Sequence, residues 1–287
     1  MTKAFKSAAS FKMSLEERLR RRATISGVPF HTQQLKFAME RLLARLFYDA
    51  DAPWLLKGGF AMDLRYRPRA RSTRDIDLSV TLLVVGSIAD LRDKIQAAAE
   101  IDLGDFLTFY IGELTSEIAN APKGGGRLPV EAVLVGKTYA RFSIDVGIGD
   151  PLLGEPELLT GDDVLEFAGI STAVARAIPK AQQFAEKLHA YTFPWSDRIN
   201  TRTKDLVDLV LLIERGALDL TQLRIALSVA FSTRGTHLLP KMLPPPPTRW
   251  RVDFPEMASE AGLSTTNIVA AFAALEAFWN SNSLGES

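Results

Sequence analysis

Trp54-Leu55-Leu56-Lys57-Gly58-Gly59-Phe60, followed after a basic, proline-containing stretch by Arg74-Asp75-Ile76-Asp77-Leu78-Ser79-Val80, decides the reading of this chain. The first segment is a short apolar run stopped by two glycines, after which Phe60, Ala61 and Leu64 return at helical spacing as far as Tyr66. That pattern is a strand, a glycine turn and a brief helix. The second segment alternates acidic and apolar residues, as a strand with one buried face does. Residues two apart on a strand share a face, so the carboxylates of Asp75 and Asp77 point the same way. Such a pair at a strand edge suits one or two magnesium ions, with manganese as the alternative, and such ions hold triphosphate oxygens. Gly58 and Gly59 lack Cβ atoms and let N–H groups at a helix start approach phosphate closely. The same residues also fit a solvent-facing strand beside glycines that merely turn the chain.

Working outward, Ser14-Leu-Glu-Glu17 reads as a capping box, and Phe37, Met39, Leu42, Leu43 and Leu46 recur at helical spacing, which predicts two helices between about Ser14 and Tyr48. Beyond the acidic strand, Ser87 to Glu100 reads as a helix, and Phe106 to Leu114, Val130 to Val135 and Ala140 to Val146 read as strands of a mixed sheet. Gly124-Gly-Gly126 is expected to form a flexible turn. After Pro151 the strand signals fade, and helices are expected at Ala181 to Tyr191, Thr203 to Glu214, Thr221 to Ala230 and Thr265 to Phe278. Pro244 to Pro247 predicts an extended connection. The fold class is therefore α+β, a mixed sheet flanked by helices with a C-terminal helical bundle, divided as residues 1–165 and 166–287.

Composition narrows the chemistry. The 34 Lys+Arg balance the 34 Asp+Glu, so net charge identifies no nucleic-acid partner. With no cysteine, thiolate catalysis, disulfides and Cys-ligated zinc are excluded. The apolar run of a signal peptide or of a membrane span is missing, and a cytoplasmic location is expected. A metal site must then use carboxylates. Asp145, within the apolar strand Phe142-Ser-Ile-Asp-Val146, is the third candidate, since an unpaired acid there is expensive to bury; it can also be read as a strand-end residue capping a turn at Gly147.

Three acids, a glycine turn and a strand–helix–strand order resemble the polymerase-β-like nucleotidyltransferase core, with Gly59 where serine is common. Two further segments narrow the resemblance. Glu186-Lys187-Leu188-His189-Ala190 is followed by Arg198, Asn200, Arg202 and then Lys204-Asp205-Leu206-Val207-Asp208-Leu209. With Lys57-Gly-Gly and Arg74-Asp-Ile-Asp, these four ordered motifs between Trp54 and Leu212 resemble the AbiEii/AbiGii toxin family, mycobacterial MenT-type toxins included. The resemblance implies metal held by Asp75, Asp77 and Asp145, and activity that needs Lys187 and Asp208, with Asp205 as a second candidate. It implies nucleotide binding by Lys57, Gly58, Gly59, Arg74, Lys187 and Asp205. It further implies transfer from a nucleoside triphosphate to an RNA acceptor, the 3′ end of tRNA, blocking translation, together with a cognate antitoxin and no membrane partner. A small-molecule acceptor such as an antibiotic, or a non-catalytic RNA-binding module, are the competing readings.

Lys187 and the two aspartates one helical turn apart can also be read as a surface ion pair. His189, two residues from Lys187, falls on a different helix face and is read as a packed or solvent-exposed residue and not a catalytic one. Arg65, Arg67, Arg69, Arg71 and Arg74 form a basic stretch suited to phosphates, with Ser72 and Thr73 as candidate phosphorylation sites.

Overall fold

Ile76, Leu78 and Val80 are buried and alternate with the half-buried Asp75 and Asp77, so the acidic segment is a strand with an apolar underside, as its alternation predicts. The computed structural model describes residues 5–67, 73–80, 88–117, 122–195 and 200–286. The elements are α1 (Ala8–Ser26), α2 (Phe30–Leu46), β1 (Trp54–Lys57), α3 (Gly58–Tyr66), β2 (Asp75–Val80), α4 (Ile88–Ala99), β3 (Leu107–Ile111), β4 (Ser116–Glu117), β5 (Gly125–Leu134) and β6 (Lys137–Ile148). They continue as β7 (Glu157–Thr160), β8 (Val174–Ala177), α5 (Lys180–Thr192), α6 (Thr203–Arg215), α7 (Leu220–Arg234), α8 (Phe254–Ala261) and α9 (Ile268–Ser281). The fold is α+β, as expected.

The strands form one mixed sheet in the order β3-β5-β6-β2-β1-β8-β7, with β4 paired beside β5. β2 runs parallel to β6, and β1 to β8, whereas β5 is antiparallel to β3, β4 and β6. The chain folds as two compact units, each discontinuous in sequence. One comprises Met1–Leu56, Arg74–Gly149 and Leu158–Ala177, and the other Lys57–Thr73, Asp150–Glu157 and Ile178–Ser287.

In the first unit, α2 packs on β6 and on α4, α1 packs on α2, and α4 lies against β3. Arg41 and Arg45 of α2 share the buried carboxylate of Asp105, with Nε and Nη2 contacts of 2.7 and 2.6 Å. Burial pushes the Asp105 carboxyl up, but the two guanidiniums more than offset it and hold it below the usual carboxylate range. In the second unit the middle of α6 is buried on every side, with Asp205 and Asp208 as its buried charged residues. Leu206, Val207, Leu209, Val210, Leu211 and Leu212 are all buried, and α5, α8 and α9 pack on it. Pro244 is pinned in its extended segment by the Tyr191 hydroxyl, which donates to its carbonyl at 2.6 Å.

Several expectations change. The first helix begins at Ala8 and is capped by Ser7, whose side chain accepts from the Ser10 N–H, so Ser14 is not the cap. The buried stripe Phe11, Leu15 and Leu19 extends one turn further back than the capping-box motif. Strand signals do not fade after Pro151: β7 and β8 are short, and β8 pairs with β1 through Leu56 and Ala177. The helix at Phe254–Ala261 was not expected; it buries only Phe254, Ala258 and Ala261. Ser87, the expected start of α4, lies outside the described residues.

Gly124-Gly-Gly126 is not a flexible turn, because Gly125 and Gly126 are strand residues paired with Gly147 and Val146. The reason is steric: a Cβ on Gly125 would lie 2.1 Å from the Val146 carbonyl oxygen. Glycine is selected there by close backbone approach. Gly125→Ala must push β5 from β6 and should lower the unfolding free energy by about 2 kcal/mol, read from urea unfolding. Gly124→Ala, where a Cβ meets open space but φ is +80°, provides a comparison limited to backbone strain.

Candidate active site

The parallel register of β2 and β6 sets Asp77 directly opposite Asp145, with Ile76 opposite Ile144 and Leu78 opposite Val146 on the other, buried face. Two carboxylates fixed side by side in this way need a cation. The antiparallel register of β5 and β6 supplies one by setting Arg127 opposite Asp145. Arg127 Nε donates to Asp145 Oδ1 at 2.7 Å and Nη2 to Oδ2 at 2.6 Å, a bidentate pair, and Nη2 lies 3.8 Å from Asp75 Oδ2. The bond to Asp145 raises the Arg127 pKa, partial burial opposes this, and the charges of Asp145, Asp75 and Asp77 add to the rise. All three acids therefore act on one guanidinium.

Asp145 stands inside β6, not at its end, so it caps no turn at Gly147. The donor set fits a hard divalent ion: three carboxylates, two at i and i+2 and the third opposite the second. Among the described residues no group of three or more His, Asp or Glu side chains is preassembled to hold a metal ion. Here the acids are drawn onto Arg127. Arg127 was not singled out from the sequence, because its significance depends on a strand register that the glycine run disguised.

In the second unit, Lys187 of α5 meets two carboxylates of α6, with Nζ 3.0 Å from Asp205 Oδ1 and 2.7 Å from Asp208 Oδ2. This is not a surface ion pair. The side chain of Lys187 is 11% exposed and that of Asp208 is fully buried. Asp205 Oδ2 has no hydrogen-bond partner among the described residues and faces Arg202 Nη1 at 3.6 Å. The one-turn spacing of the aspartates lets both reach a single ammonium.

Lys57 was expected to bind nucleotide, yet its ammonium is engaged within the protein, 2.8 Å from Asp150 Oδ2 and 3.2 Å from Glu186 Oε2. Arg234 of α7 closes the square, with Nη2 at 3.1 Å from Asp150 Oδ1 and 3.2 Å from Glu186 Oε2. Burial lowers the Lys57 pKa, but Glu186 and Asp150 outweigh it and leave the group above its ordinary value. Gly58 follows at φ +66°, a left-handed conformation in which a side chain is strained, and its carbonyl accepts from Gln183 Nε2 at 2.7 Å. Gly59 is buried within α3. Arg74 is exposed.

The basic stretch does not behave as a unit. Arg65 is buried in α3 and committed to Glu157, Gln183 and the Ile178 carbonyl, and Arg67 pairs with Asp63 at 3.1 Å. Arg69, Arg71 and Ser72 lie outside the described residues, as does Arg198. Thr73 is only 4% exposed, which removes it as an accessible phosphorylation site. His189 is a packing residue, hydrogen-bonded through Nε2 to the Thr236 hydroxyl at 2.8 Å. Burial, with Arg234 and His237 nearby, lowers its pKa to about 3, so it is neutral at pH 7.

These arrangements can be set beside known proteins. Residues 41–278 match the family model of the AbiEii nucleotidyl transferase toxin of type IV toxin-antitoxin systems, and the chain belongs to this family of nucleotidyltransferase toxins. Among solved structures, its fold is similar to that of MenT4, a nucleotidyltransferase toxin from Mycobacterium tuberculosis H37Rv. The TM-score is 0.61 at 16% identity, covering 95% of this chain and 89% of that one. At that identity the likeness is one of fold. No curated protein is significantly similar in sequence.

Burial pushes Asp150 up, but Lys57 and Arg234 hold it below the usual carboxylate range. A carboxyl with a depressed folded pKa adds stability that is present above the unfolded value and disappears as pH falls through the folded one. Asp150→Asn should therefore lose about 3 kcal/mol at neutral pH, and its gap from the parent protein should narrow below about pH 4. Urea unfolding between roughly pH 3 and 7 measures both arms.

Proposed function

We propose that this chain is a metal-dependent nucleotidyltransferase that moves nucleotides from a nucleoside triphosphate to the 3′ end of tRNA and so blocks translation. The observation that carries the reading is the juxtaposition of Asp75, Asp77 and Asp145 by the β2–β6 register, with Asp145 and Asp75 both within 4 Å of Arg127, in a chain of a nucleotidyltransferase toxin family. An acceptor hydroxyl attacks the α-phosphate, one P–O bond forms, the bond to the β-phosphate breaks, and pyrophosphate leaves as the hydroxyl proton is lost. Asp75, Asp77 and Asp145 would hold magnesium, or manganese in its place. When bound, the ion supplies Lewis-acid activation of the hydroxyl and neutralises charge at the phosphates.

Lys187 is assigned to the charge on the triphosphate, a task that suits a compact ammonium. Asp205 and Asp208 fix its position through the contacts described above. Gly58 and Gly59 are assigned to the phosphate-facing turn. Lys57 is assigned to holding that turn, a change of role from direct nucleotide binding that follows from its partners Asp150 and Glu186. Arg74, exposed beside Asp75, remains a nucleotide-binding candidate. A cognate antitoxin protein is the expected partner, in keeping with the family's type IV toxin-antitoxin description. The location is proposed as cytoplasmic, and no described helix is long and apolar enough to cross a membrane.

Purified protein incubated with magnesium, each labelled nucleoside triphosphate in turn and total tRNA should yield labelled RNA. Asp75→Ala and Lys187→Ala should each reduce labelling by about a hundredfold or more. Label on an aminoglycoside and none on RNA would transfer the assignment to a small-molecule acceptor. A lack of label on either acceptor would end the transferase reading.

A further inference from the structure

The carboxylate cluster assigned above to a divalent ion already holds a cation that the chain itself provides. Arg127 takes both oxygens of Asp145 through Nε and Nη2, and the same Nη2 reaches toward Asp75. The backbone fixes where this happens. Arg127 sits opposite Asp145 in the β5–β6 ladder, and Gly125, two residues earlier, allows the strands to approach too closely for any Cβ. The side chain is less restricted: it is 46% exposed and leads toward solvent. The anchor is therefore rigid and the charged head can leave.

A divalent ion bound to Asp145 and Asp75 would have to share oxygens that Arg127 now uses. It would also meet the guanidinium charge at close range. Asp145 stands opposite Asp77 on the adjacent strand, so loss of the Arg127 pair would remove a positive charge from beside two carboxylates. The guanidinium and a divalent ion would thus call on the same Asp145 oxygens. We propose that the Arg127 guanidinium and the divalent cation occupy this cluster by turns, so that Arg127 sets the metal affinity and keeps the strands stable when metal is lost. The proposal rests on the metal-binding reading of Asp75, Asp77 and Asp145.

The test is manganese binding to the full-length protein, followed by the electron paramagnetic resonance of the free ion, together with thermal melts in EDTA and in manganese. Relative to the parent, Arg127→Gln should bind manganese more tightly, by on the order of tenfold for the loss of one partly exposed competing pair. It should melt lower in EDTA and show the larger rise in Tm on adding the metal. Adding Asp145→Asn to Arg127→Gln should abolish the gain. Arg127→Lys keeps the charge but loses the two-pronged grip, should fall between the two, and carries the comparison if Arg127→Gln does not fold. Manganese binding that is equal or weaker in the variants than in the parent would overturn the competition and leave the metal-site reading standing. If neither parent nor variants bind manganese, with or without a nucleoside triphosphate, the metal site falls and the competition falls with it.

Discussion

Sheet register holds carboxylates beside one another on β2 and β6, and their mutual repulsion is the constraint to which the neighbouring structure answers. The apolar face enforces that register. Ile76 and Leu78 stand opposite Ile144 and Val146, all buried, and a slip of one residue would bury the acids and expose the core. The register keeps the acids side by side, and a compensating charge reaches Asp145 from across the sheet. β5 provides it with Arg127. Gly125 lets β5 come close enough to β6 for this pairing to form, and a local crowding requirement is in this way tied to the charge balance of the candidate active site.

The helical unit shows the same logic under deeper burial. Lys187 sits between two carboxylates, and Lys57 and Arg234 sit between two more. Desolvating so many charges opposes folding unless each is paired, and apolar side chains of similar size would be at least as stable. Their presence is better explained by what they position. The Lys187 group joins α5 to α6, and the Lys57 group is attached directly to the glycine turn. Asp105 with Arg41 and Arg45 differs in having no link to any of these groups; it joins α2 to the start of β3.

Local patterns were legible where one residue's neighbours in sequence are also its neighbours in space. The alternation from Asp75 to Val80 fixed both the strand and the shared face of its acids, and the spacing of Asp205 and Asp208 anticipated their common partner. What could not be read depends on pairing across distance. The Gly124–Gly126 run carries turn chemistry, and only the facing Val146 carbonyl makes it a strand. Arg127 looks like any exposed arginine until β5 and β6 are in register. Arg65 appeared to belong to a basic stretch, yet Glu157 and Gln183, remote in sequence, hold it inside. β7 and β8, four residues each, are too short for alternation to distinguish them from loop.

The square of Lys57, Asp150, Glu186 and Arg234 bears on how such a chain can change over generations. Two cations and two anions cancel, and each comes from a different stretch: the glycine turn, the segment after β6, α5 and α7. A recombination that exchanged everything beyond α6 would remove Arg234 and leave two buried acids to one lysine. The glycine turn would then rest on an unbalanced anion. The C-terminal helices are therefore not an interchangeable appendage; a donor segment is compatible only if it restores a positive charge at that corner, and descent should keep the strand–turn motif and α7 together.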